Sequence, residues 1–131
     1  MNLNDELLAT ARKSGSYQTA AVELLIWLGK TIPVHPDRDY GIYVDTDELT
    51  ARMAAWSGGE RRVAKVALSL LDAGNVDLRD VIGGTGGEHR RRIVAAIAQA
   101  ADIALYAGGA IAPPQPAPPA GPLTVAPDQI V

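Results

Sequence analysis

The chain has 131 residues, with 12 Lys+Arg against 15 Asp+Glu, a formal net charge of −3, 47% hydrophobic and 21% charged residues. That is the length and composition of one globular domain, and the mildly acidic balance argues against a general nucleic-acid or membrane-surface coat. The absence of cysteine excludes disulfides, thiolate zinc sites and cysteine nucleophiles, so stability has to come from packing.

Helix periodicity and capping residues predict a series of helices separated by Gly and Pro, an all-α chain. The first, over about 5–12, has Asn4 as its cap, Asp5 and Glu6 at the favourable end of its dipole, and Arg12 and Lys13 at the other. The second, over 17–28, contains Leu24-Leu25-Ile26-Trp27-Leu28, leaving almost no polar face, and belongs in the middle of the fold until Gly29 and Pro33 end it. Residues 33–47 are the longest connection, where Pro33 and Pro36 forbid helix and Ile42-Tyr43-Val44 offers at most one short strand. A third helix follows from Thr46 or Asp47 to Trp56.

Ser57 and Glu60 then have the spacing of a capping box and open a fourth helix. Its Val63, Val66, Ala67, Leu70 and Leu71 recur at helical steps on one face, with Arg61, Lys65, Ser69 and Asp72 on the other, until Gly74 supplies a left-handed stop. A turn or two over 78–82 leads to Thr85-Gly86-Gly87-Glu88, read as a second capping box. It opens a last helix with Ile93, Val94, Ile97, Ala101 and Leu105 inward as far as Gly108. Seven of the nine prolines fall in the last nineteen residues, which predicts a disordered, extended Pro/Ala-rich tail. The expected architecture is a single compact orthogonal bundle of five to six short helices over 1–108, with a flexible tail over 109–131. Trp27 and Trp56 are expected as core anchors. The run 24–28 is far shorter than the roughly 20 residues of a membrane span. The opening Met1-Asn2-Leu3-Asn4-Asp5-Glu6 lacks a signal peptide's basic and apolar segments, so the expected address is cytoplasmic with no membrane contact.

Several segments invite a chemical reading. Ser57-Gly58-Gly59-Glu60-Arg61-Arg62-Val63-Ala64 resembles the signature motif of ABC-type ATPases, where a Ser-Gly-Gly turn meets nucleotide phosphate. The G-x-x-x-x-G-K-[ST] loop such enzymes need is absent, and a capped helix start accounts for the same residues. Residues 37–48 resemble a degenerate EF-hand loop. Asp37, Asp39, Gly41, Tyr43, Asp45 and Glu48 fall at ligand positions, which makes Asp37, Asp39, Asp45 and Glu48 the calcium candidates. Ile42 occupies the position that wants Gly. Residues 72–81 look like a shortened second loop that could pair with the first through Val44 and Val76; the simpler reading makes both segments Asp caps. His35 and His89 are the two imidazoles, too far apart in sequence for a zinc motif, and no G-x-S-x-G elbow is present. No enzyme activity and no cofactor is expected.

Charge is segregated. Residues 37–48 carry five acids and one base, whereas residues 57–92 carry seven bases and five acids. Arg90-Arg91-Arg92 stand in the first turns of the last helix, where the macrodipole disfavours cations by a few tenths of a kcal/mol each, so internal carboxylates or an external anion must offset them. Arg61, Arg62, Arg90, Arg91 and Arg92, with Gly86 and Gly87 at the helix start, are the anion or nucleic-acid candidates. A helix-turn-helix reader using the last helix is one form of this, although no aromatic residue interleaves with the arginines to stack on bases.

The leading expectation is a small non-enzymatic adaptor that docks on a protein partner through its helical domain or its tail, where Leu123, Val125, Ile130 and Val131 form an apolar terminus. The alternative is a nucleic-acid or phosphate-anion binding accessory protein. Self-association through the Ala-rich last helix is a third expectation.

Overall fold

A computed structural model describes residues 2–39 and 41–102. Among these the chain forms α1 (Leu3–Ser14), α2 (Ser16–Leu28), β1 (Val34–Asp37), β2 (Gly41–Val44), α3 (Thr46–Met53), α4 (Gly58–Leu70), α5 (Leu78–Gly83) and α6 (Gly87–Ala100). The expected all-α class holds, with one two-stranded hairpin added to six helices. Gly108, Leu105 and the tail lie outside the described residues.

Local chemistry sets the helix starts. Asn2, not Asn4, caps α1, accepting the Asp5 N–H at 2.9 Å. Asp45 accepts the Glu48 N–H at the start of α3, and Asp77 accepts the Arg79 and Asp80 N–H groups at the start of α5. Ser57 and Glu60 form both arms of the predicted capping box on α4. The second predicted box does not form. Gly86, with no side chain, is the N-cap of α6, and the Thr85 hydroxyl turns inward to donate to the Val81 carbonyl, which buries it.

Two stops differ in kind. Gly29 ends α2 in the left-handed region at φ 81, where a Cβ would be strained. At the end of α4 the left-handed residue is Asp72 (φ 59), not Gly74. There the Ala73 N–H reaches the Leu68 carbonyl at 2.8 Å and the Asp72 N–H reaches Ser69 at 3.1 Å, the two bonds of a Schellman turn. α3 likewise stops at Met53, short of Trp56.

The long connection contains more strand than its prolines suggest. β1 and β2 pair antiparallel with Val34 opposite Val44, His35 opposite Tyr43, Pro36 opposite Ile42 and Asp37 opposite Gly41. A two-stranded sheet consists of edges, so Pro36 can sit in it without removing a bond from a central ladder. Val44 is buried and its cross-strand neighbour is Val34, so the expected Val44–Val76 pairing is replaced by the hairpin.

α2 is central, as its apolar run predicts, packing against α1, α4 and α6, while β2 leans on α1. Leu7, Val22, Leu25, Leu49, Val63, Val66, Val81 and Ile93 are the largest fully buried side chains, so every helix contributes to one core. Burying each stabilises the fold by about 1.5–3 kcal/mol before the cost of ordering the chain. Trp27 and Trp56 are half-buried at its margin and do not anchor its centre. On α6, Ile93 is buried but Ile97 is 38% exposed and Ala101 is exposed; Ala96, Ala98 and Ala100 are buried instead. Among the described residues no helix is long and apolar enough to cross a membrane.

Candidate anion site on the fourth helix

The start of α4 is anchored through Glu60. Glu60 accepts the Ser57 N–H at 3.1 Å and pairs with Lys30 at 3.1 Å, while the Lys30 ammonium stands 5.8 Å from the centre of the Trp56 ring. The backbone bond from Ser57, then the bond from Lys30, hold the Glu60 carboxyl below the usual carboxylate range. The single acid in the first turn of α4 is thereby neutralised by Lys30.

Arg62, one turn further on, is a structural clamp. Its Nη1 donates to the Gly84 carbonyl at 2.8 Å, and its Nε and Nη2 reach the Asp80 carboxylate at 3.4 Å. A Cβ on Gly84 would lie 2.6 Å from the Arg62 Cζ, so glycine is what lets the guanidinium seat there. Arg90 does a related job, donating from Nη2 to the Thr85 carbonyl at 2.9 Å. Two arginines from different helices thus satisfy consecutive carbonyls of the α5–α6 connection, which the end of α5 leaves without helical partners.

Arg91 and Arg92 both face Glu88 at 3.8 Å, and the Arg92 guanidinium also lies 5.2 Å from the Trp27 ring centre. His89 meets the same tryptophan with its ring nearly perpendicular, centre to centre 5.4 Å. The charges that oppose the α6 dipole are offset by Glu88, a carbonyl and an indole face, all internal. Gly86 and Gly87 contribute no side chain to a site.

Arg61 and Lys65 differ from these. Both are exposed, they sit one helical turn apart on α4, and among the described residues neither has a carboxylate partner. With Gly58, Arg62 and Asp80 they line an open cavity of about 190 Å³. The structure therefore divides the five predicted arginines. Arg62, Arg90 and Arg92 are engaged by the protein, Arg91 faces Glu88 across an exposed gap, and Arg61 faces solvent. Lys65, absent from the predicted set, joins Arg61. Its signal was present in the sequence as a base four residues after Arg61 on the polar face of a helix.

The acidic candidates have local structural partners. Asp37 accepts the Asp39 N–H at 2.8 Å in the hairpin turn, Asp45 is the α3 cap, and Glu48 pairs with Arg52 at 3.1 Å. Among the described residues no group of three or more His, Asp or Glu side chains is placed to hold a metal ion. Leu123, Val125, Ile130 and Val131 lie outside the described residues. No protein-family model, curated protein or solved structure matches the chain.

Proposed function

We propose that this chain is a non-enzymatic binding module that holds a phosphate-bearing ligand on the exposed face of α4, with Arg61 and Lys65 as the contacting cations. One observation carries the reading. Arg61 and Lys65 share one cavity and have no carboxylate partner among the described residues, whereas Arg62 beside them is held by Asp80 and Gly84. Two neighbouring cations left to solvent attract a multivalent anion more strongly than either does alone, and the α4 dipole adds to the attraction at its start.

Titration with tripolyphosphate, followed by backbone amide NMR, tests the proposal. The expected result is saturable shifts concentrated at residues 58–65. Absence of shifts, or shifts centred on the start of α6, would refute it. A second reading, docking on a protein surface, draws on α5, where Leu78 and Ile82 are 56% and 44% exposed one turn apart. It predicts that Leu78→Ser with Ile82→Ser changes association in sedimentation while leaving tripolyphosphate binding intact.

A further inference from the structure

We infer that the phosphates recognised by α4 belong to a double-stranded nucleic acid, bound through its backbone with α4 set against a groove; this rests on the phosphate reading above. The first support is the order and length of the elements. The eight-residue α3 is joined by residues 54–57 to the 13-residue α4, the arrangement in which a short helix braces a longer one that meets the duplex. Leu49 and Met53 of α3 are buried in the same core as Val63 and Val66 of α4, so the pair presents one rigid surface. Ala54 and Ala55 in the connection are exposed and small.

The second support concerns size. At about 1.5 Å per residue α4 is roughly 20 Å long, and a major groove about 12 Å wide admits one helix. Arg61 and Lys65 are separated by about 6 Å of rise, so both can engage one backbone without the helix tilting out of the groove.

The third support separates duplex from single strand. Sequence-tolerant binding of single strands uses aromatic side chains as stacking platforms. The exposed aromatics among the described residues are Tyr17, in the first turn of α2, and Tyr43 on β2, and neither lines the α4 cavity. Trp56, next to α4 in sequence, is half-buried with Lys30 over its ring. The outward face of α4 offers charge and no stacking surface. It offers no Asn or Gln to read adenine, and Arg61 and Lys65 are assigned here to backbone phosphates, so the inference specifies binding that is independent of sequence.

Fluorescence anisotropy on the full chain, with a labelled two-turn DNA duplex and its separate single strand, tests this. Two neutralised phosphates give a slope of about −1.8 in log K against log salt, a roughly tenfold loss of affinity between 50 and 200 mM salt. The duplex is expected to bind more tightly than the single strand at each salt concentration, and duplexes of different sequence equally. Arg61→Ala and Lys65→Ala should each reduce the slope by about 1, with Arg91→Ala leaving it unchanged. If tripolyphosphate shifts the amides of 58–65 but the single strand binds as well as the duplex, the duplex inference is overturned and the phosphate reading stands. If neither tripolyphosphate nor either nucleic acid binds, both are overturned. Both side chains are exposed, so Arg61→Glu and Lys65→Glu, which should abolish binding with unchanged circular dichroism, guard against a misfolded alanine variant.

Discussion

Gly84→Ala should destabilise the native protein and stabilise a variant that lacks Arg62. The glycine has φ −95 and ψ 4, a conformation open to alanine, so the substitution carries no large backbone penalty. Its methyl, however, would sit 2.6 Å from the Arg62 Cζ and evict the guanidinium. Eviction removes a bond to the Gly84 carbonyl, at about 1–1.5 kcal/mol, and a half-exposed pairing with Asp80, at about 0.5 kcal/mol. Against this, alanine restricts the unfolded chain and returns about 0.4–1 kcal/mol. The net effect is a loss of about 1 kcal/mol, read as a fall of about 4–8 °C in Tm for a domain of this size. In an Arg62→Ala background the guanidinium is already gone, and the same substitution should raise Tm by a few degrees. A thermal or urea double-mutant cycle measures the sign change directly. Equal destabilisation in both backgrounds would refute the clamp.

Gly41→Ala combines a left-handed φ of 97 with a Cβ 2.8 Å from the Thr10 hydroxyl oxygen, and should cost about 2–3 kcal/mol in urea denaturation. Thr10→Ala should recover the steric part and leave the backbone part. Glu60 gives a pH prediction. Its carboxyl is held below the usual range by Ser57 and Lys30, so its contribution to stability is present above the ordinary glutamate value of about 4.3 and is lost as the pH falls through and below it. Denaturation series at neutral and acid pH should show that Glu60→Gln narrows the gap between the two, and an unchanged gap would contradict the assignment. Ser57→Ala removes the hydroxyl arm of the α4 cap and should cost about 1 kcal/mol in Tm-derived stability without altering the fold.

Features that depend on neighbours in sequence were the most legible. The Ser57–Glu60 box, the Asp45 and Asp77 caps and the central burial of α2 follow from residues within one or two helical turns of each other. The hairpin was not legible, because its stability comes from Ile42 and Val44 packing near α1, a contact formed across more than thirty residues of chain. Thr85 failed as a cap because a hydroxyl can donate backward as readily as accept forward, and burial over Val81 decides between them. On α6 Ile93 is inward as its spacing predicts, but the rest of the buried face differs from the expected one. Alanines 96, 98 and 100 fit into the interior, and Ile97 is left partly outside.

The basic residues show the same division. Counting arginines along residues 57–92 locates a cationic end, but cannot foresee that Arg62 reaches Asp80 eighteen positions away or that Arg90 is spent on the Thr85 carbonyl. What the fold adds to the sequence is the distinction between cations that complete the protein and cations left to meet a ligand.

That distinction is tested most directly by two variants that change net charge equally at different places. Arg61→Glu with Lys65→Glu alters the α4 face, and Arg12→Glu with Arg91→Glu alters exposed positions on α1 and α6. Measured side by side for binding to tripolyphosphate and to duplex DNA at one salt concentration, the first should lose binding and the second should retain most of it. Equal losses would mean that overall charge, and not a site on α4, governs anion binding, and would contradict the account.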